Sequence, residues 1–313
     1  MDSIIRQAFV RWGWSEETPY SLLAERENRV YLIKPAQAKP CVLRLHRQQY
    51  RSDAQLNSEL QWMAYLADQG MAVPQPITSV AGSFGEVIDD WQIDCLSLLD
   101  GVPLGSTGQA LILDKRLETF RKIGQTMAHL HQVTDGWKTP NGFTRPAWDQ
   151  DGLVGEEPLW GRFWDNPQLS SAQAKQLKAV RDKAAQVLNE LDGQLDFGLI
   201  HADMVRENIF LKGDDIQLLD FDDSGYGFRL FEVATALFKN RDEPDYPQLE
   251  QALIEGYQTV RPLATEYLPL LMLLRACTYV GWVVPRLNEA GGLQRSERFI
   301  NNAIALAEPY LSE

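Results

Sequence analysis

Within residues 199–225, LIHADMVRENIFLKGDDIQLLDFDDSG, His201, Asp203 and Asn208 stand in the order H-x-D-x-x-x-x-N, and Asp220 follows twelve residues after that Asn. Asp220, Asp222 and Asp223 form an acidic triplet around Phe221. Phosphoryl transfer needs a group beside the attacking hydroxyl and oxygen ligands that hold Mg²⁺ against the phosphates of ATP. An Asp that accepts the hydroxyl proton, an Asn five residues on and a separate Asp for the metal meet both needs. Asp203, Asn208 and Asp220 fit those three places. Carboxylate and amide oxygens suit a hard, octahedral Mg²⁺. The plainer alternative is a turn rich in Asp and Asn, residues that bond their own backbone in turns. Asp222 would meet a cationic acceptor or assist the metal, and Arg206 would contact the acceptor or simply a neighbouring carboxylate.

These groups need elements to hold them. Leu199-Ile200, Ile209 to Leu211 and Ile216 to Phe221 are short apolar runs with a turn at Lys212 to Asp215, which places the carboxylates at strand ends and in loops. Residues 1–20, with Trp12 and Trp14, lead into a hairpin of Arg29–Ile33 and Cys41–Leu45, with further strands at Gly85–Ile88 and within Trp91–Leu99. Apolar residues at helical spacing predict helices over Ser52–Gln69, Lys115–Gln132 and Ser170–Leu191. Gly225 to Arg229 reads as a Gly-punctuated loop. Residues 137–164 hold Trp137, Phe143, Trp148, Trp160, Phe163 and Trp164, either an aromatic lid or a segment that packs on itself, with packing favoured for most of them. Arg275, Tyr279 and Trp282 fall at i, i+4 and i+7, on one face of a helix.

Composition narrows the classes. The 313 residues, 44% apolar and 23% charged, have the balance of a globular protein with a sizeable core. A net charge of −13 argues against broad binding to nucleic acid or anionic membrane, which needs a basic footprint. Cys41, Cys95 and Cys277 are dispersed, with no C-x-x-C, and suggest buried apolar residues rather than a disulfide framework or zinc site. No signal peptide is visible, and the apolar stretch Tyr267–Val284 is broken by Pro269 and Arg275, so a buried helix and a cytoplasmic location are expected. No G-x-x-x-x-G-K-[ST] is present, which disfavours a Walker-type ATPase.

The motif His201-Ala202-Asp203 to Asn208, followed by Leu219-Asp220-Phe221-Asp222, resembles that of the aminoglycoside phosphotransferase and choline kinase family, whose usual form has Gly where Ala202 stands. Weaker likeness extends over most of the chain. The resemblance implies an α+β, two-lobed protein-kinase-like fold: a small N-terminal antiparallel β lobe over residues 1–100 and a larger, mainly helical C-terminal lobe over 101–313. It implies that Arg44 replaces the usual Lys that pairs the ATP phosphates, that Glu59 pairs with that cation, and that Glu25 to Asn28 covers the phosphates. His201 would brace the catalytic loop, as would Glu232 in place of the family's shorter Asp. His131 would be a structural hydrogen-bonding residue. The face carrying Arg275, Tyr279 and Trp282 becomes the candidate for acceptor recognition, or else an Arg paired with an Asp beside core aromatics.

The expected activity is Mg²⁺-dependent transfer of the γ-phosphoryl group of ATP to a hydroxyl of a small molecule, such as an amino alcohol, amino acid, sugar or aminoglycoside. A Ser/Thr protein kinase of the same fold and a nucleotide-binding regulator without catalysis are the alternatives.

Overall fold

The computed structural model describes residues 1–25, 28–46 and 51–312. In chain order its elements are α1 (Asp2–Arg11), β1 (Tyr20–Glu25), β2 (Arg29–Ile33), β3 (Cys41–Leu45), α2 (Asp53–Asp68), β4 (Gly85–Ile88), β5 (Trp91–Ser97), β6 (Val102–Pro103) and α3 (Arg116–Asp135). There follow β7 (Ala147–Trp148), α4 (Gln150–Val154), α5 (Ser171–Glu190), β8 (Phe197–Ile200), β9 (Ile209–Lys212), β10 (Asp215–Leu218), β11 (Gly225–Phe228), α6 (Arg229–Phe238), α7 (Tyr246–Gln258), α8 (Leu268–Trp282) and α9 (Gly292–Ser312). They form two compact units: Met1–Leu104 with Gly136–Arg145 and Asn208–Asp222, and Gly105–Asp135 with Pro146–Glu207 and Asp223–Glu313.

The first unit is built on an antiparallel sheet in the order β1-β2-β3-β5-β4. Alternation along β3 buries Cys41, Leu43 and Leu45 in a core with Tyr31, Ile33, Ile93 and Cys95. The opposite side of β3 carries Arg44. Helix α1 closes the core with Ile5, Ala8, Phe9 and Trp12, and the Trp12 indole donates to Ile77 O at 2.8 Å. That i, i+3, i+4, i+7 spacing is helical, yet the sequence reading runs residues 1–20 straight into a hairpin and misses both α1 and β1. Helix α2 starts in a capping box, Ser52 Oγ accepting from Gln55 N and Gln55 Oε1 from Ser52 N, both at 3.2 Å. Strands β9 and β10 form a hairpin with Ile209 opposite Leu218, closed by the turn expected at Lys212 to Asp215.

In the second unit α3 packs on α7 so closely that only glycine fits at two crossings. A Cβ at Gly124 would stand 2.0 Å from Leu253 O, and one at Gly256 2.0 Å from Arg121 O. Helix α8, buried from Leu270 to Gly281, packs between α6 and α9. Among the described residues no helix is long and apolar enough to cross a membrane. Gly225 to Phe228, expected as a loop, is strand β11, parallel to β7 and antiparallel to β8. Its glycines serve close packing: a Cβ would lie 2.3 Å from Pro146 O at Gly225 and 2.5 Å from Ile200 Cδ1 at Gly227. The antiparallel sheet in the N-terminal part and the helical C-terminal part make the α+β fold that the motif implied.

Candidate active site

The loop after β8 carries His201 and Asp203. Ala202 between them has φ +64°, the left-handed region that glycine enters freely and alanine does not. The conformation is held from below. Ala202 N–H donates to Glu232 Oε1 at 2.9 Å, and Asp203 N–H points to His201 Nδ1 at 3.3 Å. The other Glu232 oxygen pairs with His131 Nε2, while Tyr257 hydroxyl meets His131 Nδ1 at 2.7 Å. Burial raises Glu232 to about 7, against the hydrogen bonds from Ala202 and His201 and the nearby Arg229; burial also keeps His131 well below its usual value. A neutral imidazole can therefore donate to the Glu232 carboxylate and accept from Tyr257. Glu232, longer than the family's usual Asp, thus reaches both the Ala202 amide and His131.

The Asp203 side chain stays partly open, 23% exposed, while Arg275 beside it is fully buried. Arg275 Nη2 donates to Asp203 Oδ1 at 2.8 Å and to Tyr279 hydroxyl at 2.9 Å. Its guanidinium lies 4.5 Å from the Tyr279 ring centre and 4.8 Å from that of Trp160. Burial pushes the Asp203 carboxyl above the usual range, and Arg275 and Lys239 pull it back without cancelling the shift. Trp282 lies further along the same helix face, its ring 6.2 Å from that of Trp160 and covered by Arg286 at 4.0 Å. The plainer reading of this face holds: Arg275 does pair with an Asp beside aromatics, and that Asp is Asp203.

Arg206 takes the plainer of its two readings. Its nitrogens bind Asn240 Oδ1 at 2.8 Å, Gln109 O at 2.8 Å and Glu243 Oε1 at 2.7 Å, and it is buried. The aromatic segment mostly packs on itself, with Trp137 against Phe143 and Trp148 against Trp160. Trp160 alone of these residues covers Arg275.

In the first unit Arg44 and Glu59 pair at 2.9 Å. Sequence reasoning missed their partner: Asp94, directly across from Arg44 on β5, receives Arg44 Nε at 2.8 Å and Nη2 at 2.9 Å, and also meets His46 Nε2 at 2.5 Å. Burial alone would raise the Asp94 and Glu59 carboxyls, but Arg44 and its neighbours overcome it and hold both below their usual values. Arg145 reaches Glu59 at 3.5 Å and the carbonyls of Phe221 and Asp222 at 3.0 and 2.6 Å. Phe221 packs edge-on to Trp62 at 5.4 Å, which fixes the acidic triplet against α2. Of the expected phosphate-covering segment, Glu25 ends β1 and pairs with Arg29, while Arg26 and Glu27 lie outside the described residues.

Asn208 precedes β9 and Asp220 follows β10, so both stand at the open end of one hairpin. Leu219 N–H donates to Asn208 O at 2.9 Å. Asp220 has φ +64°, a conformation that Asp tolerates better than most residues. Among the described residues no group of three His, Cys, Asp or Glu side chains is gathered to hold a metal by itself. One amide and one carboxylate are the donor set of an ion that keeps waters and phosphate oxygens as its other ligands.

The sequence profile of the phosphotransferase enzyme family matches residues 21–267. The chain belongs to that family. An amicoumacin kinase of Bacillus subtilis (strain 168) is 28% identical over 258 residues, 80% of this chain and 71% of the relative. A homoserine kinase of Rhizobium meliloti (strain 1021) is 26% identical over 282 residues, 86% of this chain and 79% of the relative. Among solved structures, a microcompartment-associated aminopropanol kinase superposes with a TM-score of 0.84 at 26% identity, covering 99% of this chain and 97% of that one. An amicoumacin kinase in complex with AMP-PNP and Ca²⁺ has a TM-score of 0.78 at 20% identity and shares the fold, covering 98% of this chain and 93% of its own. This member of the phosphotransferase family is thus an enzyme whose relatives are named as kinases of small molecules.

Proposed function

We propose that this phosphotransferase moves the γ-phosphoryl group of ATP to a hydroxyl of a small molecule, with Asp203 as the group that orients and deprotonates that hydroxyl. The observation that carries the assignment is the partly open Asp203 carboxylate, raised by burial and oriented by Arg275, at the tip of a loop locked by Glu232 and His201. As the acceptor oxygen bonds to the γ-phosphorus, its proton passes to Asp203, the bond from that phosphorus to the β-phosphate oxygen breaks, and ADP leaves.

Asn208 and Asp220 would hold Mg²⁺, which when bound offsets the negative charge of the phosphates. Arg44 would face the phosphates. Three of its N–H groups are used by Asp94 and Glu59, which leaves two of the five. The small-molecule kinases among the relatives favour this reading over a protein substrate.

The test is transfer of labelled γ-phosphate from ATP to a pool of hydroxyl metabolites. Asp203→Asn keeps the shape and loses the base, so turnover should fall by about 10² to 10⁴ while nucleotide binding persists. Turnover equal to wild type would remove Asp203 from the reaction.

A further inference from the structure

Lys239, the residue after α6, is absent from every motif and stands in the Asp203 cluster. Its ammonium lies 4.0 Å from the centre of the Tyr279 ring and 5.4 Å from that of Phe299. Among the described residues it makes no hydrogen bond and no ion pair within 4 Å. It remains partly exposed. A cation held against a ring yet unpaired is costly to desolvate, and its position is explained if an anion completes it.

The rings around it are already covered by the protein's own cations. Tyr279 is faced by Arg275 as well as Lys239, Trp160 by Arg275, Phe299 by Lys239 and Arg298, and Trp282 by Arg286. A cationic headgroup would compete with them for every one of these faces. The charges that act on Lys239 are Asp203 and Glu207 from the catalytic loop, Arg275 from α8 and Arg298 from α9. Asp203 is bonded to Arg275, and Glu207 accepts the Thr107 N–H at 2.5 Å. Among the described residues Lys239 and the exposed Arg298 are the cations of this cluster with no acid bonded to them, and of the two only Lys239 is partly buried.

We propose that Lys239 binds a carboxylate of the phosphate acceptor, so that the substrate is a short hydroxy acid or hydroxy amino acid rather than a simple amino alcohol. The proposal rests on Asp203 being the site of the acceptor hydroxyl. Lys239 and the Asp203-bound Arg275 lie 4.0 and 4.5 Å from the centre of the same Tyr279 ring, and Asp203 and Lys239 are near enough to act on each other's charge, so one small molecule can present its hydroxyl to Asp203 and its carboxylate to Lys239. Burial and the neighbouring Arg275 bring Lys239 down to about 8, against the pull of Asp203 and Glu207, so its hold on a carboxylate should weaken as pH rises through that region.

Homoserine and 3-aminopropan-1-ol form a matched pair that differs only in the carboxylate. Calorimetric binding of each, with Mg²⁺ and a non-hydrolysable ATP analogue present, should show homoserine tighter by about tenfold or more, as a charge-assisted contact implies. Lys239→Met should abolish that preference, and Lys239→Arg should keep most of it. In turnover, Lys239→Met should raise KM for homoserine about tenfold or more and affect the amine by a smaller factor. Equal or tighter binding of the amine by wild type, binding of neither compound at millimolar concentration, or an undiminished preference in Lys239→Met overturns the proposal. A preference that follows Lys239 without phosphorylation of either compound upholds the carboxylate site and counts against the phosphotransfer role of Asp203.

Discussion

At the scale of single residues, Asp203 is governed by opposing terms. Burial raises its pKa, and Arg275 and Lys239 hold it back. In its proposed role as general base Asp203 works only when deprotonated, so kcat/KM should fall as pH drops through that raised value. Removing Arg275 takes away a cation that lowers the value, and the acidic limb of Arg275→Met should move to higher pH. A pH profile whose acidic limb stays in place, or moves down, would show that Arg275 does not tune this carboxylate. Ala202 carries a different cost. The left-handed conformation disfavours alanine by roughly 1–2 kcal/mol, part of which glycine returns through its greater freedom in the unfolded chain. Ala202→Gly should stabilise the protein by up to about 1 kcal/mol, read as a small rise in thermal midpoint. A lower midpoint would mean that the Ala202 methyl packs well enough to outweigh the strain.

At the scale of elements, the helices position the chemistry through contacts with almost no slack. Helices α3 and α7 meet at Gly124 and Gly256, where each would-be Cβ falls on a carbonyl of the other helix. His131 on α3 and Tyr257 on α7 then meet beneath Glu232, which holds the Ala202 amide. Gly124→Ala should force the pair apart and cost about 1–3 kcal/mol, lowering the urea midpoint. Activity should fall more than stability alone explains, because the displaced pair supports the loop that carries Asp203, the proposed base. An unchanged midpoint would show that the crossing has room that the present geometry denies.

At the scale of the whole molecule, nucleotide binding should appear as stability. A ligand that binds only the folded chain adds about 2.7 kcal/mol at a hundred times its dissociation constant. ATP with Mg²⁺ should raise the thermal midpoint of wild type more than ATP with chelator. In Asp220→Asn, which suits the left-handed backbone but loses the charge, most of that Mg²⁺-dependent difference should disappear. A full Mg²⁺-dependent shift in the variant would place the metal elsewhere. The net charge of −13 belongs to this scale too and bears on partners, not on the fold.

The chain by itself determined whatever is written in local order. His201, Asp203, Asn208 and Asp220 lie within 20 residues, and the strands and helices around them follow from short-range periodicity and capping, as at Ser52. The fold was legible through the resemblance that this motif carries to a known family, not through its spacing alone. Contacts between distant segments were decided only by folding. Asp94 meets Arg44 across two strands 50 residues apart, Arg275 reaches Asp203 over 72, and Lys239 shares Tyr279 with Arg275. Gly225 and Gly227 suggested a tightly turning loop because a glycine reads the same whether it frees a turn or admits a close neighbour. Helix α1 lay in residues 1–20, which were assigned no element of their own, although Ile5, Ala8, Phe9 and Trp12 carried the helical spacing. Burial separates such alternatives, and burial is a property of the packed chain: the same Lys or Arg is a solvated surface charge in one environment and a desolvated recognition group in another.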